Sequence, residues 1–478
     1  MQTDIGVVTA QPQPAGSKSL LRSLFEAIRG SSSRDYTSGS IDRAIFMLSV
    51  PMVLEMCMES LFGVVDIFWV AKLGKDAMTA AALTEATLAI LFAVAMGLSM
   101  GTTAIVARRT GEKRPEEVGV AAVQGILAAV AVSVVVGVLG YLFAAQILEL
   151  MGASPAVVEQ GQSYTRTIYG GTVTIMLLFL LNAVFRGSGD ASTAMRSLWL
   201  ANGINIVLNP LLIFGIGPFP AMGVTGSAMG TNIGRGVGVL FQLFILFQGR
   251  GRVKIGAGQL RLDLEVMGRL LKLSLGAFVQ YLIPTGSWTA LVRMAATFGS
   301  GSVAGYSLAV RILIFAVLPS WGMSNAAATL VGQNLGAGKP ERAEQSAWRT
   351  AFCNMVFLGI VGVLFLVFAP LIVGWFVYDE EVKAVAITGL RLFAAGNIFY
   401  AYGMVLAQSF GGAGDTRTPT LINFFCYWMF QIPLAYALAF PLGLKTTGVL
   451  LAVPIAESAL AAISIVLFRR GTWKLKKV

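Results

Sequence analysis

Histidine is absent from this 478-residue chain, cysteine occurs three times, and Asp, Glu, Lys and Arg together make up only 12% of it. Each shortage excludes something. Without imidazole, carboxylates must carry any proton exchange. Cys57, Cys353 and Cys426 all fall inside long apolar stretches, so no disulfide framework is expected and small apolar packing is their default role. A soluble domain carries about a quarter charged residues; this chain, 56% hydrophobic, has the composition of a polytopic membrane protein instead. The first 43 residues lack an apolar core and a small-residue cleavage site, so no signal peptide is expected. No nucleotide, metal-cluster or nucleophile motif is present, which argues against an enzyme and against any bound cofactor.

What is there in quantity is apolar length. Twelve stretches are each long enough to cross a bilayer as helix: 44–70, 77–107, 117–144, 156–185, 197–216, 222–248, 267–296, 303–332, 346–377, 383–410, 420–442 and 448–469. The net charge of +11 is placed for a membrane, not for nucleic acid. Arg108, Arg109, Lys113 and Arg114 follow the second span, Arg252 and Lys254 follow the sixth, and "RRGTWKLKK" closes the chain, whereas alternate loops such as "GASPA" carry no Lys or Arg. The positive-inside rule puts both termini in the cytoplasm, with the plasma (inner) membrane as the expected location. Within the first 43 residues, "SLLRSLFEAIR" sets Leu20, Leu21, Leu24, Phe25 and Ile28 on one face, as an interfacial helix or an unstructured tail.

A repeat organises the spans. "RGSGDAST" (186–193) matches "GGAGDTRT" (411–418) at an offset of 225, and the same shift pairs Gly111 with Gly336, Pro115 with Pro340, Glu116 with Glu341 and Gly97 with Gly322. The predicted fold is all-α: twelve transmembrane helices in two six-helix bundles related by a pseudo-twofold axis along the membrane normal. The expected division is a cytoplasmic tail over 1–43, bundles over 44–248 and 267–470, a cytoplasmic linker over 249–266 and a basic tail over 471–478. Such paired bundles rock around a midplane cavity, so the chain is expected to be a transporter, working as a monomer among membrane lipids. In the Gly-rich loops, Asp190 and Asp415 are expected to cap the following helices.

Span one, "MVLEMCMESLFGVVDIF", carries Glu55, Glu59 and Asp66. Each would cost about 2.5–3.5 kcal/mol facing lipid. At about 100° per residue, Glu59 and Asp66 lie about 40° and about 20° from Glu55, so all three share a stripe that must face protein or water. Pro51 precedes them and is expected to weaken the helix there. Glu85, Asn205, Asn209 and Thr231 are the polar companions in spans two, five and six. The alternative is structural: carboxylates paired with helix-borne arginines such as Arg293 and Arg311, and the three polar residues as interhelical hydrogen-bonding partners. Glu457 is expected to be a structural partner of Arg311. The 225 offset maps Glu55, Glu59, Asp66 and Glu85 onto Gln280, Pro284, Leu291 and Val310, so any ion coupling is expected in the first bundle.

With "PMVLEMCMESLFGVVDIFWVAKLG" in span one, "NIVLNP" in span five, "GQNLGAGKPERA" after span eight and the paired "RGSGD" and "GGAGD" loops, the chain resembles the multidrug and toxic compound extrusion (MATE) antiporters over about residues 40 to 470. The resemblance implies that Asp66 is the ion-linked group and that Asn205, Asn209 and Thr231 complete its cation site. Where some members carry Asp, this chain has Asn209, which lowers the charge and favours H⁺ over Na⁺ as coupling ion. Pro284 and Tyr400 stand where some relatives place acids. The implied activity is cation-coupled efflux of small organic, cationic or amphipathic, compounds, with Glu55, Glu59 and Glu85 as candidate cavity or proton-relay groups. A lipid-linked precursor flippase of the same superfamily and a non-transporting membrane scaffold are the alternatives.

Overall fold

A computed structural model describes residues 20–30, 35–249 and 251–478; the rest of the N-terminal tail and Arg250 lie outside the described residues. Sixteen α-helices follow in chain order: α1 Leu20–Arg29, α2 Ile41–Ala71, α3 Lys75–Gly111, α4 Pro115–Leu142, α5 Ala144–Leu150, α6 Pro155–Gly170, α7 Thr172–Ser188, α8 Ala191–Phe214, α9 Val224–Gln248, α10 Leu264–Ala296, α11 Ser300–Gly336, α12 Pro340–Gly374, α13 Glu380–Gly412, α14 Arg417–Asn423, α15 Ile432–Ala439 and α16 Lys445–Arg469. Among the described residues there is no strand. Eleven spans are continuous by length and apolarity, and the bent pair α6–α7 makes a twelfth. The protein is therefore an all-α polytopic membrane protein of repeated halves, α2–α9 and α10–α16.

Local chemistry explains the helix ends. Asp190 and Asp415 cap as their position before α8 and α14 suggests, each accepting from a backbone N–H three residues on, Thr193 at 3.3 Å and Thr418 at 3.4 Å. Pro115 and Pro340 open α4 and α12 at the first turn, where a missing N–H costs nothing. Two residues before each proline the chain turns left-handed, at Gly338 (φ 70°) and at Lys113 (φ 58°), so the repeat keeps its backbone geometry even where glycine is lost.

Departures from regular helix are specific. The fourth span bends by 42° at Gly170-Gly171, and Asn232 of α9 donates to the Thr167 carbonyl at 2.6 Å beside the break. The eleventh span holds a π-helical segment, Phe424–Gln431, between α14 and α15. Pro51 does not break α2, which runs on through it as helix. Pro284 frees the carbonyl of Gln280 from its helical bond, and Asn423 donates to that oxygen at 3.1 Å. α1 forms as expected of "LLRSLFEAIR", with Leu21 and Phe25 exposed on it.

The halves meet most closely where α3 crosses α11, and the contact is reciprocal. A Cβ on Gly111 would overlap the Gln333 carbonyl, and one on Gly336 would overlap the Arg108 carbonyl. Gln333 and Arg108 are themselves 225 apart, so the crossing lies on the repeat axis. The hydrogen bonds between halves cluster on the side that carries the chain termini. Thr329 and Gln333 of α11 donate to the Arg186 and Gly187 carbonyls at the end of α7, at 3.2 and 2.9 Å. Arg349 of α12 pairs with Asp42 of α2 at 2.7 Å, and Lys339 reaches the Thr37 carbonyl at 2.8 Å. On the opposite side, Glu85 and Arg311 lie within reach of each other's charge across the cleft, and both are exposed. The structure is closed at the terminus side.

Replacing Gly336 with leucine is expected to hold that side apart, since overpacking of about 1–3 kcal/mol shifts a two-state population by roughly 5- to 150-fold. A cysteine placed at Thr329, with the three native cysteines changed to serine, should then label correspondingly faster with a hydrophilic maleimide. Unchanged labelling would mean that the α3–α11 crossing does not control closure.

Candidate functional site: carboxylates buried in the first half

The site is built by close helix approach. α9 carries Gly226, Gly230, Gly234 and Gly238 at every fourth position, and a Cβ at Gly226 or Gly234 would overlap backbone of α8. A stripe of this kind lets two helices pack backbone to backbone inside a membrane. Its consequence is that side chains of α8 and α9 meet each other and, between them, the acidic stripe of α2.

That stripe faces the interior of its own half at three levels. Nearest the termini, fully buried Glu55 accepts from Arg186 Nη1 at 2.9 Å and Asn182 Nδ2 at 3.0 Å, both on α7, and Gln242 of α9 donates to Asn182 in turn. In the middle, half-buried Glu59 accepts from Asn202 Nδ2 at 3.0 Å and lies 3.9 Å from Arg235 Nη2, whose guanidinium covers the Phe62 ring at 5.6 Å. Farthest from the termini, Asp66 Oδ1 accepts from Asn209 Nδ2 at 2.7 Å and Ser227 Oγ at 2.8 Å.

Beside Asp66, Asn205 Nδ2 donates to Thr231 Oγ1 at 2.8 Å. The amide oxygens of Asn205 and Asn209 are buried and have no hydrogen-bond partner. Two orphaned acceptors next to a carboxylate form an electronegative cluster able to take a proton shared with Asp66 or a small cation. Glu85 stands near enough to feel the charge of Asp66 but is exposed and is not bonded to it.

The arginines that meet these acids are not the ones proposed from the sequence. Arg186 and Arg235, both buried in the same half, pair with Glu55 and Glu59, while Arg293 and Arg311 are exposed on α10 and α11. The pairing of Glu457 with Arg311 is likewise replaced: Glu457 accepts from the Tyr427 hydroxyl at 2.7 Å, because Tyr427 lies on the neighbouring eleventh span. Tyr400 is partly buried and packs, as Trp321 does, against the buried cluster of Val317, Leu358, Ala401 and Met404. Ser227, Arg186 and Arg235 were missed. Arg235 stands inside an apolar span, the same signal that exposes the acids, whereas Arg186 lies one residue beyond the fourth stretch, at the start of the "RGSGD" loop motif. Ser227 gave no signal of its own.

Between the halves lies a cavity of about 230 Å³. Glu55, Glu59 and Met96 line it from the first half, and Tyr281, Leu318 and Trp321 from the second. Tyr281 and Trp321 meet edge to face at 6.1 Å, giving an aromatic wall opposite an acidic one. Asp66 does not line this cavity; it sits inside the first half, among α2, α8 and α9.

The MatE family model matches residues 51–211 and 277–437, one segment in each half. A probable multidrug resistance protein, YoeA of Bacillus subtilis (strain 168), is 24% identical over 92% of this chain and 96% of its own length. A solved structure of a MOP superfamily transporter from Pyrococcus furiosus, described as having a binding pocket of reverse polarity that suggests a different function, is 26% identical with a TM-score of 0.86, covering 95% of this chain and 99% of that one. An outward-facing structure of a multidrug resistance MATE family transporter has 26% identity and a TM-score of 0.85, covering 91% and 96%.

Removing one partner of a buried ion pair typically costs about 3–5 kcal/mol, because the other charge is left uncompensated. Arg186→Met is therefore expected to lower the melting temperature of the protein in detergent, and Glu55→Gln added to it should recover much of the loss. Equal and additive losses in the two single variants would show that the pair is not coupled.

Proposed function

The chain belongs to the MatE family, and from that membership we propose that it is a cation-coupled antiporter that exports organic, cationic or amphipathic, compounds by alternating access. The observation that carries the coupling is the cluster at Asp66, a buried carboxylate beside the orphaned oxygens of Asn205 and Asn209. The proton is the favoured ion. Asp66 is the single carboxylate among the bonded groups of the cluster, and a neutral Asn209 adds no charge to hold Na⁺, a hard cation that favours several oxygen ligands and carboxylate charge. A proton on Asp66 would instead find an acceptor in the Asn209 oxygen once that amide turned over. Asn205, Thr231 and Ser227 hold the geometry, and Glu59 and Glu85 supply a route from the cleft.

The substrate would enter the cavity between the acidic and aromatic walls. Half-buried Glu59 is the carboxylate better placed to meet a cation there, since Arg235 stands 3.9 Å from it whereas fully buried Glu55 is held by Arg186 at 2.9 Å. Aromatic faces suit flat cations, and methionines suit substrates of varied shape. We place the protein in the plasma (inner) membrane as a monomer with both termini in the cytoplasm, following its Lys and Arg distribution. In that orientation the closed terminus side is the cytoplasmic one, and the structure is the outward-facing state.

Reconstituted into liposomes with an imposed proton gradient, the wild-type chain should move a cationic dye against its gradient. Asp66→Asn should abolish the coupled component while leaving the protein folded, and Ser227→Ala should weaken it. Asn209→Asp, by adding charge, should make transport more responsive to Na⁺. If Asp66→Asn couples as well as wild type, the coupling assignment fails; if no gradient moves any dye and labelled lipid-linked precursors are flipped instead, the substrate class is wrong.

A further inference from the structure

The second half contains a buried carboxylate that the Asp66 cluster does not use. Glu457 lies midway along α16 and is 6% exposed. Its Oε1 accepts the Tyr427 hydroxyl at 2.7 Å, but Oε2 is buried with no partner at all. Tyr400 on α13 and Cys426 and Tyr427 on the π-helical segment stand near enough to feel its charge. Among the described residues, α10, α11, α14 and α15 bring no charged side chain into an ion pair with it. On α2 one oxygen of Glu55 is likewise without a partner, but Glu55 and Glu59 each have an arginine and Asp66 has two donors, so Glu457 differs in lacking a countercharge and a second donor. Ionised, Glu457 would be a full charge inside a membrane span met by one hydroxyl; with a proton on Oε2 it is a neutral acid.

The surrounding backbone is arranged around this contact. In the π-helical segment the N–H of Ile432 bonds the carbonyl of Tyr427, five residues back, a widened turn found most often at functional sites. Ser287 of α10 fixes the segment, with its Oγ 3.2 Å from the Tyr427 carbonyl and 2.8 Å from Gln431 Oε1. At the 225 offset, Tyr427 and Glu457 correspond to Asn202 and Asn232, both neutral amides, and α8 has no such segment. The acid, its hydroxyl donor and the widened turn therefore occur together in one half only. Tyr400, near enough to feel the charge of Glu457, packs against the same buried cluster of Val317, Leu358, Ala401 and Met404 as Trp321, which lines the central cavity.

We propose that Glu457 is a second proton-binding site, loaded and unloaded during the cycle from the central cavity past Tyr400. The step is a simple transfer: the proton leaves cavity water for Glu457 Oε2 and later returns, with no other bond made or broken. A proton fits better than a metal ion, because one carboxylate and one hydroxyl offer too few oxygens for a hard cation. The inference goes beyond the Asp66 coupling reading and does not rest on it.

Infrared difference spectra of the purified full chain in detergent, taken between acid and alkaline pH, test this without any transport assay. The wild type should show a protonated-carboxyl C=O band that disappears on alkalinisation. Glu457→Gln should remove that band and reduce proton release by about one per molecule. Asp66→Asn should leave the band in place. Tyr427→Phe, which keeps the carboxyl but deletes its donor, should displace the band's frequency, and serves if the glutamine variant does not fold. A band that is absent at every pH, that does not respond to pH, or that survives Glu457→Gln unaltered would overturn the proposal. Failure of gradient-driven flux with the band intact would instead count against the antiport reading alone.

Discussion

A carboxylate inside a hydrocarbon layer has no water to fall back on, so the protein must supply its donors, and α2 carries three of them on one face. Much of the first half follows from that demand. α7 contributes Arg186 and Asn182, α8 contributes Asn202 and Asn209, and α9 contributes Arg235 and Ser227. The donors of α8 and α9 converge on α2 where α9 is stripped to glycine every fourth residue and packs backbone to backbone on α8. Small residues and buried charge are thus parts of one arrangement. A larger side chain on the glycine stripe would act on the carboxylates without touching them.

The same network reaches the closure between halves. Arg186 meets Glu55 through its guanidinium, while its backbone carbonyl accepts from Thr329 of the other half. α7 ends there, and its Arg186 carbonyl, which also accepts the Gly189 N–H at 2.9 Å, has a second lone pair for the bond across the interface. A change in the charge state of α2 and an opening of the terminus side therefore act on one residue. The C-terminal tail adds to the closure. Trp473 is buried and stacks on Phe468 at 4.4 Å, Lys474 pairs with Glu344 at 2.6 Å, and Arg109 of the first half reaches the Val478 carbonyl at 3.2 Å.

Much of the architecture was legible in the residues. Hydropathy located the spans because bilayer thickness demands length. The offset of 225 survives in the reciprocal meeting of Gly111 with Gln333 and of Gly336 with Arg108, because a symmetric crossing needs the same small residue twice. Helical spacing placed Glu55, Glu59 and Asp66 on one face, and the structure turns that face toward α7, α8 and α9. The partners were harder. Arg293 and Arg311 lie in spans, yet nothing in a sequence says which of several embedded arginines a given face meets. Neither the bend at Gly170-Gly171 nor the π-helical segment is marked by span hydropathy, which reads both spans as continuous.

What the sequence determined by itself was what is set by distance along the chain: the number of spans, the face each polar residue shares and the repeat. Those depend on rise and turn per residue, which are fixed by the backbone. Only the tertiary structure decided which helix stands opposite each face. It gave Glu55 an arginine, left the amide oxygens of Asn205 and Asn209 without partners, and isolated Glu457 with a single hydroxyl. The physical reason is that hydrogen bonds reach about 3 Å, and which groups come that close depends on the packing of separate helices, from 30 positions apart for Tyr427 and Glu457 to 131 for Glu55 and Arg186.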